Sequence, residues 1–516
     1  MKAIYCLSRL PEWLEVAQNL ENELGWTPFY WVTVPGNHEM VGARFPKVVR
    51  HLSGDANRGL PAPGYERLAR YPLDEPLLRA LSEHESIAYD LMDRMDLDGS
   101  FRHIERRRAF RRLMAYWLSL IEYERPGRVV FNAPPHSVAE YTLYAACCAR
   151  NVATVIFLPT AVDGILLVER RVFDLPRTLT TAYQNNLNGG MSALSEEGRA
   201  HFDLLRRTYE DAEPWYTRVT RARDERKEFK KRRILEDQES DKRGSRGSRA
   251  DEKSRVPMSR VYKRAGMPLE APLMTRGEYN RYLEQVYPIK ARLGDVYRSL
   301  AQSPPLDAPF VYMPLHYQPE RTTCPDGGRY NDQSLSIAIL SANMPAGAWL
   351  YVKEHPSQFS YQGNGEQART PEFYQDLASL PNVKIVDMEM PSFDLIDNSR
   401  GVATITGVAG WEALARGKPA LVFGHAWYLP CNGVFAIESS DDCRAALEAV
   451  FSGMTPSERD VLAFIAALEE VGVRGYINPS AAQGVEISPE ENVTELTRGI
   501  LDLERERARD DEKKVR

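Results

Sequence analysis

Short apolar runs rich in β-branched and aromatic residues alternate with amphipathic helical stretches in both the first and the last parts of this chain. That alternation confines it to the α/β class with largely parallel sheets. Ala3 to Leu7 reads as a strand, Pro11 to Leu24 as a helix opened by proline and ended by Gly25, and Phe29 to Val34 as the next strand. Residues 75–123 place Leu, Ile, Met and Trp at helical spacing between many Arg and Glu, as helices covering a sheet do. A second βαβ unit follows: strand Arg128 to Asn132, helix Ser137 to Arg150, strand Val152 to Leu158. Its helix opens on Ser137 with Glu140 three residues on, the capping-box spacing.

The series restarts near Pro309. Phe310 to Pro314, Trp349 to Lys353, Val383 to Val386, Gly401 to Ile405 and Ala420 to Phe423 read as strands. Asp332 to Ala342, Ser392 to Asn398 and Trp411 to Arg416 read as the helices between them. Thr455-Pro456-Ser457-Glu458 reads as a capping box opening a helix through Val471. Between the halves the composition changes: Arg221 to Arg255 is dominated by charged residues around a Gly-Ser-Arg repeat and cannot bury a core. The expected organisation is a first Rossmann-like domain over 1–215, a charged insertion over 216–260, a second Rossmann-like domain over 261–500 and a charged, frayed tail over 501–516, the two domains facing across a cleft.

With 516 residues and a formal charge of −6, the chain has no general attraction for nucleic acid or membrane. No window approaches a membrane span, and the N-terminus turns charged too soon for a signal peptide. Six scattered cysteines show no zinc spacing, so no metal is expected, and buried thiols in a reducing cytoplasm account for them.

Three stretches carry the candidate chemistry, each just after a strand, where open α/β sheets bind ligands. Thr406-Gly407-Val408-Ala409-Gly410 turns a strand into a helix start, whose N–H groups and dipole favour an anion. Glu412 stands where it can accept from ribose hydroxyls. The same turn also suits any tight βα connection. His355, after the strand ending in Lys353 and before Pro356, is placed to donate to a leaving phosphate or to act as a general acid, with Lys353 in strand phase beside it. His316, Gln318 and Glu320 lie in a polar loop suited to a nucleotide or sugar acid, or to its own internal hydrogen bonds. In the first domain, Asp163 precedes Gly164 at a strand end, as a nucleophile or base toward a sugar or as an Asx turn.

The runs Val311 to Glu320, Val352 to Phe359 and Thr404 to Ala413 resemble the bacterial capsular polysaccharide biosynthesis proteins, whose relatives include transferases of the sugar acid Kdo. The resemblance is good over roughly 308–430 and architectural over 1–215. It implies a GT-B glycosyltransferase in which the second domain binds a CMP-activated sugar and the first holds a glycan or lipid-linked glycan acceptor. The Gln-Pro and His-Pro motifs of that family correspond to Gln318-Pro319 and His355-Pro356, its glycine turn to Thr406–Glu412, and its acidic nucleophile to Asp163, although the residues around Asp163 depart from the pattern. The expectation is a cytoplasmic transferase with His355 and Asp163 catalytic. His316, Gln318, Glu320, Lys353, Thr406, Gly407, Gly410 and Glu412 would hold the donor. No cofactor beyond the nucleotide sugar is expected. Peripheral contact with the inner membrane and with capsule-assembly proteins is expected, and none with nucleic acid. A nucleotide-sugar epimerase, a polyol-phosphate transferase and a non-catalytic assembly protein are the rival readings.

Overall fold

The computed structural model describes residues 1–6, 9–68, 70–97, 99–207, 268–271, 276–360 and 364–515. The charged segment expected over 216–260 lies outside them. The first unit is built on β1 (Lys2–Cys6), β2 (Thr27–Thr33), β3 (Val49–Leu52), β4 (Arg128–Phe131), β5 (Ala153–Pro159) and β6 (Ile165–Glu169). The second carries β7 (Phe310–Pro314), β8 (Trp349–Lys353), β9 (Val383–Ile385), β10 (Gly401–Thr404), β11 (Ala420–Val422) and β12 (Val434–Ala436). A last short strand, β13 (Val473–Arg474), returns to the first sheet. The strand orders are β13-β6-β5-β4-β1-β2-β3 and β12-β11-β10-β7-β8-β9. The second sheet is parallel throughout, while the β5–β6 and β6–β13 pairs make one margin of the first antiparallel.

Both sheets are covered on both faces, which is why their strands read as unbroken apolar runs. Along β1, Ile4 and Cys6 face the helices Ser82–Asp93, His103–Glu124 and Val138–Arg150, while Ala3 and Tyr5 face the helix Glu12–Leu24. In the second sheet Val311, Met313, Leu350 and Val352 pack on one side and Phe310, Tyr312 and Tyr351 on the other. Ser137 caps its helix, accepting from the Glu140 N–H at 3.3 Å, which is one half of the expected capping box. The later capping box is shifted: Ser457 and Asp460 cap each other reciprocally, and Pro456 precedes the cap instead of entering the helix.

The C-terminal stretch differs from its expected place. From β13 onward the chain lies on the first unit, although the sequence division puts it with the second. The helix Pro489–Val515 packs on Glu12–Leu24, burying Leu496, Ile500 and Leu503 under the first sheet. Its charged end is held as well: Glu504 pairs with Arg128 at 2.6 Å and Asp510 with Arg170 at 2.6 Å. Charge along this helix signals ion pairing to the first sheet, not fraying. Among the described residues no helix is long and apolar enough to cross a membrane.

Ile500 is fully buried. Ile500→Ala is expected to cost about 2–5 kcal/mol in denaturant unfolding, from lost transfer energy and the cavity left behind. A frayed tail would show no cost.

Candidate functional site

In the second sheet β10, β7 and β8 are adjacent and parallel, so their carboxyl ends lie on one edge. The residues that follow them, the Thr406 turn, His316 and His355, are therefore set side by side with His316 in the middle. The buried His316 ring is tied to the turn. Its Nε2 accepts from the Thr406 N–H at 3.3 Å and lies 3.1 Å from Thr404 Oγ1. An accepting Nε2 leaves the neutral ring's proton on Nδ1. Burial, with the neighbouring His355 and Arg369, pushes the His316 pKa down to about 3, so the ring stays uncharged.

This arrangement corrects the expectation for the glycine turn. The Thr406 N–H is used by His316, and the Gly407 N–H donates to Thr404 Oγ1 at 3.0 Å. The Thr406 hydroxyl donates to the Thr322 carbonyl at 2.7 Å. The glycines serve close packing. A Cβ on Gly407 would stand 2.7 Å from Thr404 Oγ1 and 3.2 Å from the His316 ring. A Cβ on Gly410 would overlap the hydroxyl of Tyr428, which donates to the Gly407 carbonyl at 2.5 Å. What remains for an anion lies one step further on. Val408 and Ala409 open the helix Val408–Ala415, and their N–H groups donate to no described residue. Glu412, in the next turn of that helix, is half-buried, and its carboxyl makes no hydrogen bond to a described residue. Burial pushes its carboxyl up to about 7 against the pull of Arg416.

His355 is half-buried, with the Tyr317 ring 6.1 Å away. Its Nδ1 accepts from the Ser357 N–H at 3.1 Å, which places the proton of the neutral ring on Nε2 and makes that atom a donor. Burial lowers its pKa to about 4. Near neutral pH His355 is thus an uncharged hydrogen-bond donor, not a cationic acid.

The other expected ligand residues are engaged elsewhere. Gln318 is buried and saturated. Its Nε2 donates to the Asn331 carbonyl at 2.6 Å, and its Oε1 accepts from Gln333 and Arg369, each at 2.7 Å. Lys353 points away from His355, its Nζ donating to the Met390 carbonyl at 2.5 Å and to Ser392 Oγ at 3.2 Å. Strand phase fails to pair the two residues because the chain leaves β8 at Lys353. Glu320 accepts from the Thr322 hydroxyl and faces Arg94 and Arg321, and burial raises its carboxyl pKa.

Asp163 stands in the exposed turn of the β5–β6 hairpin, next to Gly164, whose carbonyl accepts from the Gly475 N–H at 2.8 Å. No described contact joins it to the second unit. The acidic residue of that hairpin which does cross over is Glu169, at the far end of β6, 2.9 Å from His425 Nε2. Arg94 also crosses, donating to the Cys324 carbonyl at 3.0 Å. Beside it a cavity of about 250 Å³ opens between the units, lined by Asp90 and Asp93 on one side and Gln318, Asn331 and Arg369 on the other.

The residues that sequence reasoning missed hold the site together. Arg369 and Glu354 form a buried pair at 2.7 Å, 1% and 0% exposed. Glu354 also accepts from the Tyr374 hydroxyl at 2.7 Å and the His355 N–H at 2.8 Å, and Arg369 reaches the His316 carbonyl at 3.2 Å. Glu354 lies within the run Val352 to Phe359, but nothing local marks Arg369 as its partner.

Residues 322–441 match the family model "Capsule polysaccharide biosynthesis protein". The matched segment holds Lys353, His355, the Thr406 turn and Glu412, and it agrees with the family resemblance seen in the sequence. No curated protein matches the chain. Among solved structures, the β-Kdo 2,7 transferase KpsC of Thermosulfurimonas dismutans is 16% identical over 44% of this chain and 67% of its own, with a TM-score of 0.22. The β-Kdo 2,4 transferase KpsC of the same organism is 19% identical over 41% and 63%, TM-score 0.23, so this chain spans about two thirds of either. The UDP-GlcNAc 2-epimerase of Methanocaldococcus jannaschii is 10% identical over 91% of this chain and 100% of its own, TM-score 0.23. Likenesses at this level assign no residue a role.

Two outcomes are expected from this geometry. Glu354→Ala leaves Arg369 buried and unpaired and should cost about 3–5 kcal/mol, whereas the double change Glu354→Leu/Arg369→Met should cost much less; a double-mutant cycle by chemical denaturation reads both. The second concerns Glu412, whose folded-state pKa of about 7 lies above its ordinary 4.5. Its carboxyl favours the folded state at low pH, and that contribution is lost as pH rises through 7. Glu412→Gln should therefore raise the melting temperature at pH 8, by the equivalent of about 1–2 kcal/mol after allowance for solvent, and leave it unchanged at pH 4. An equal gain at both pH values would show that the carboxyl is not desolvated.

Proposed function

We propose that this chain is a glycosyltransferase of bacterial surface polysaccharide assembly, taking its sugar from a nucleotide donor, CMP-linked, and passing it to a glycan or lipid-linked glycan. The observation that carries the proposal is that unspent polar atoms follow the ends of adjacent strands: the Nε2–H of His355 after one, and the Val408 and Ala409 amides and the Glu412 carboxyl after another, with His316 on the strand between them bonded to the turn. Neutral donors and a helix dipole suit a phosphate whose negative charge grows as the sugar departs. Glu412, one turn along, is placed for ribose hydroxyls. The match of residues 322–441 to capsule polysaccharide biosynthesis proteins supports the same reading.

In this scheme His355 donates from Nε2 to a phosphoryl oxygen, the Val408 and Ala409 amides share that charge, and His316 keeps the turn in place without entering the reaction. The acceptor approaches from the first unit, whose Arg94, Glu169 and Phe173 already meet the second. Asp163, exposed on its hairpin, has no part in it. Peripheral contact with the cytoplasmic face of the membrane follows from a lipid-linked acceptor.

Incubation with CMP-, UDP- and GDP-sugars, with and without acceptor and read by mass spectrometry, tests the class: transfer requires the acceptor, epimerisation does not. With the active donor, His355→Ala should lower kcat by the equivalent of about 2–4 kcal/mol with little change in melting temperature. Near-wild-type turnover in that variant would remove His355 from the site.

A further inference from the structure

The first unit carries a wide groove of about 600 Å³ between residues 64–68 and 70–72 and the end of the helix His103–Glu124. That is the size of a small-molecule site, roughly 300–1,000 Å³. Its lining is aromatic and cationic, with Tyr65, Tyr71 and Tyr123 set among Arg67 and Arg70.

Two of the rings are fixed in place. The Arg150 guanidinium lies 4.6 Å over Tyr71 and is itself held by Glu122 at 2.8 Å, and the Tyr71 N–H donates to Ser119 Oγ at 2.7 Å. The Tyr65 hydroxyl donates to Glu124 at 2.6 Å. Tyr123 is 71% exposed, unusual for so large a ring. The exposed Arg67 and Arg70, by contrast, make no hydrogen bond or ion pair with any described residue. Flat rings present apolar faces to the C–H faces of pyranoses, and unspent guanidinium forks match carboxylates.

We propose that this groove binds an acidic oligosaccharide, holding a carboxylate-bearing glycan on the first unit apart from the strand-end site. The inference rests on the glycosyltransferase reading only for the source of that glycan. A membrane is the less suited occupant. Interfacial anchoring uses exposed Leu, Phe or Trp beside basic residues, whereas this groove offers a half-buried Leu68 and carries the acidic Glu122 in its lining.

The test is calorimetric titration of the full-length protein at physiological ionic strength with trigalacturonic acid and, as the neutral counterpart, maltotriose. Saturable binding of trigalacturonate is expected, with maltotriose about tenfold weaker or more. Tyr123→Ala and Arg67→Ala/Arg70→Ala should each weaken trigalacturonate by about tenfold or more without lowering the melting temperature, and His355→Ala should leave it unchanged. Absence of saturable binding, equal affinity for maltotriose, or undiminished binding in both groove variants would overturn the proposal. So would sedimentation with phosphatidylglycerol vesicles through the same two arginines when trigalacturonate does not bind. CMP binding, titrated separately on the same preparations, reports on the strand-end site, so a failure of one reading is distinguishable from a failure of the other.

Discussion

The carboxyl edge of the second sheet depends on one buried ion pair. Arg369 and Glu354 are almost wholly removed from water, a costly arrangement unless every polar atom finds a partner. Here the partners are the parts of the site themselves. The guanidinium reaches the Gln318 side chain and the His316 and Ala368 carbonyls, and the carboxylate holds the Tyr374 hydroxyl and the His355 N–H. Two loops that leave adjacent strands are thereby fixed to a single pair of charges. The geometry of both histidines is a property of that pair as much as of the strands.

The electrostatics of the edge follow from burial. His316 and His355 are both held neutral, one with its proton on Nδ1 and the other on Nε2, because each ring spends its other nitrogen on a backbone amide. The edge therefore presents directed dipoles and almost no free positive charge. Glu412, with its carboxyl raised to about 7, adds little repulsion toward an anion near neutral pH. In the proposed scheme this favours charge that develops during reaction over charge already present in the ground state.

Most strands were legible in the sequence because two-sided burial makes them unbroken apolar runs, and the order β10-β7-β8 then placed the right three loops together, whereas the short strands β3, β6, β12 and β13 were not. Hydrogen-bond assignments within those loops were not legible. The turn at Thr406 has the residues of an anion-binding loop, yet two of its amides are used by His316 and Thr404, and the His316 contact spans ninety positions in the sequence. The expected pairing of Lys353 with His355 assumed strand phase past the point where the strand stops. Asp163 was read without the strand Ile165–Glu169, whose short apolar run gave no sign that the chain doubles back. Glu169, at the other end of that strand, is the acidic residue of the hairpin that pairs with the second unit.

The return of the C-terminal helix to the first sheet bears on how the molecule is made. One face of that sheet is covered by Glu12–Leu24 together with Leu496, Ile500 and Leu503. A nascent chain therefore completes the second unit while part of the first still lies bare to water, and domains fold largely in the order they emerge. The unit synthesised first is the last to close, so chaperone capture during synthesis would fall on the N-terminal sheet.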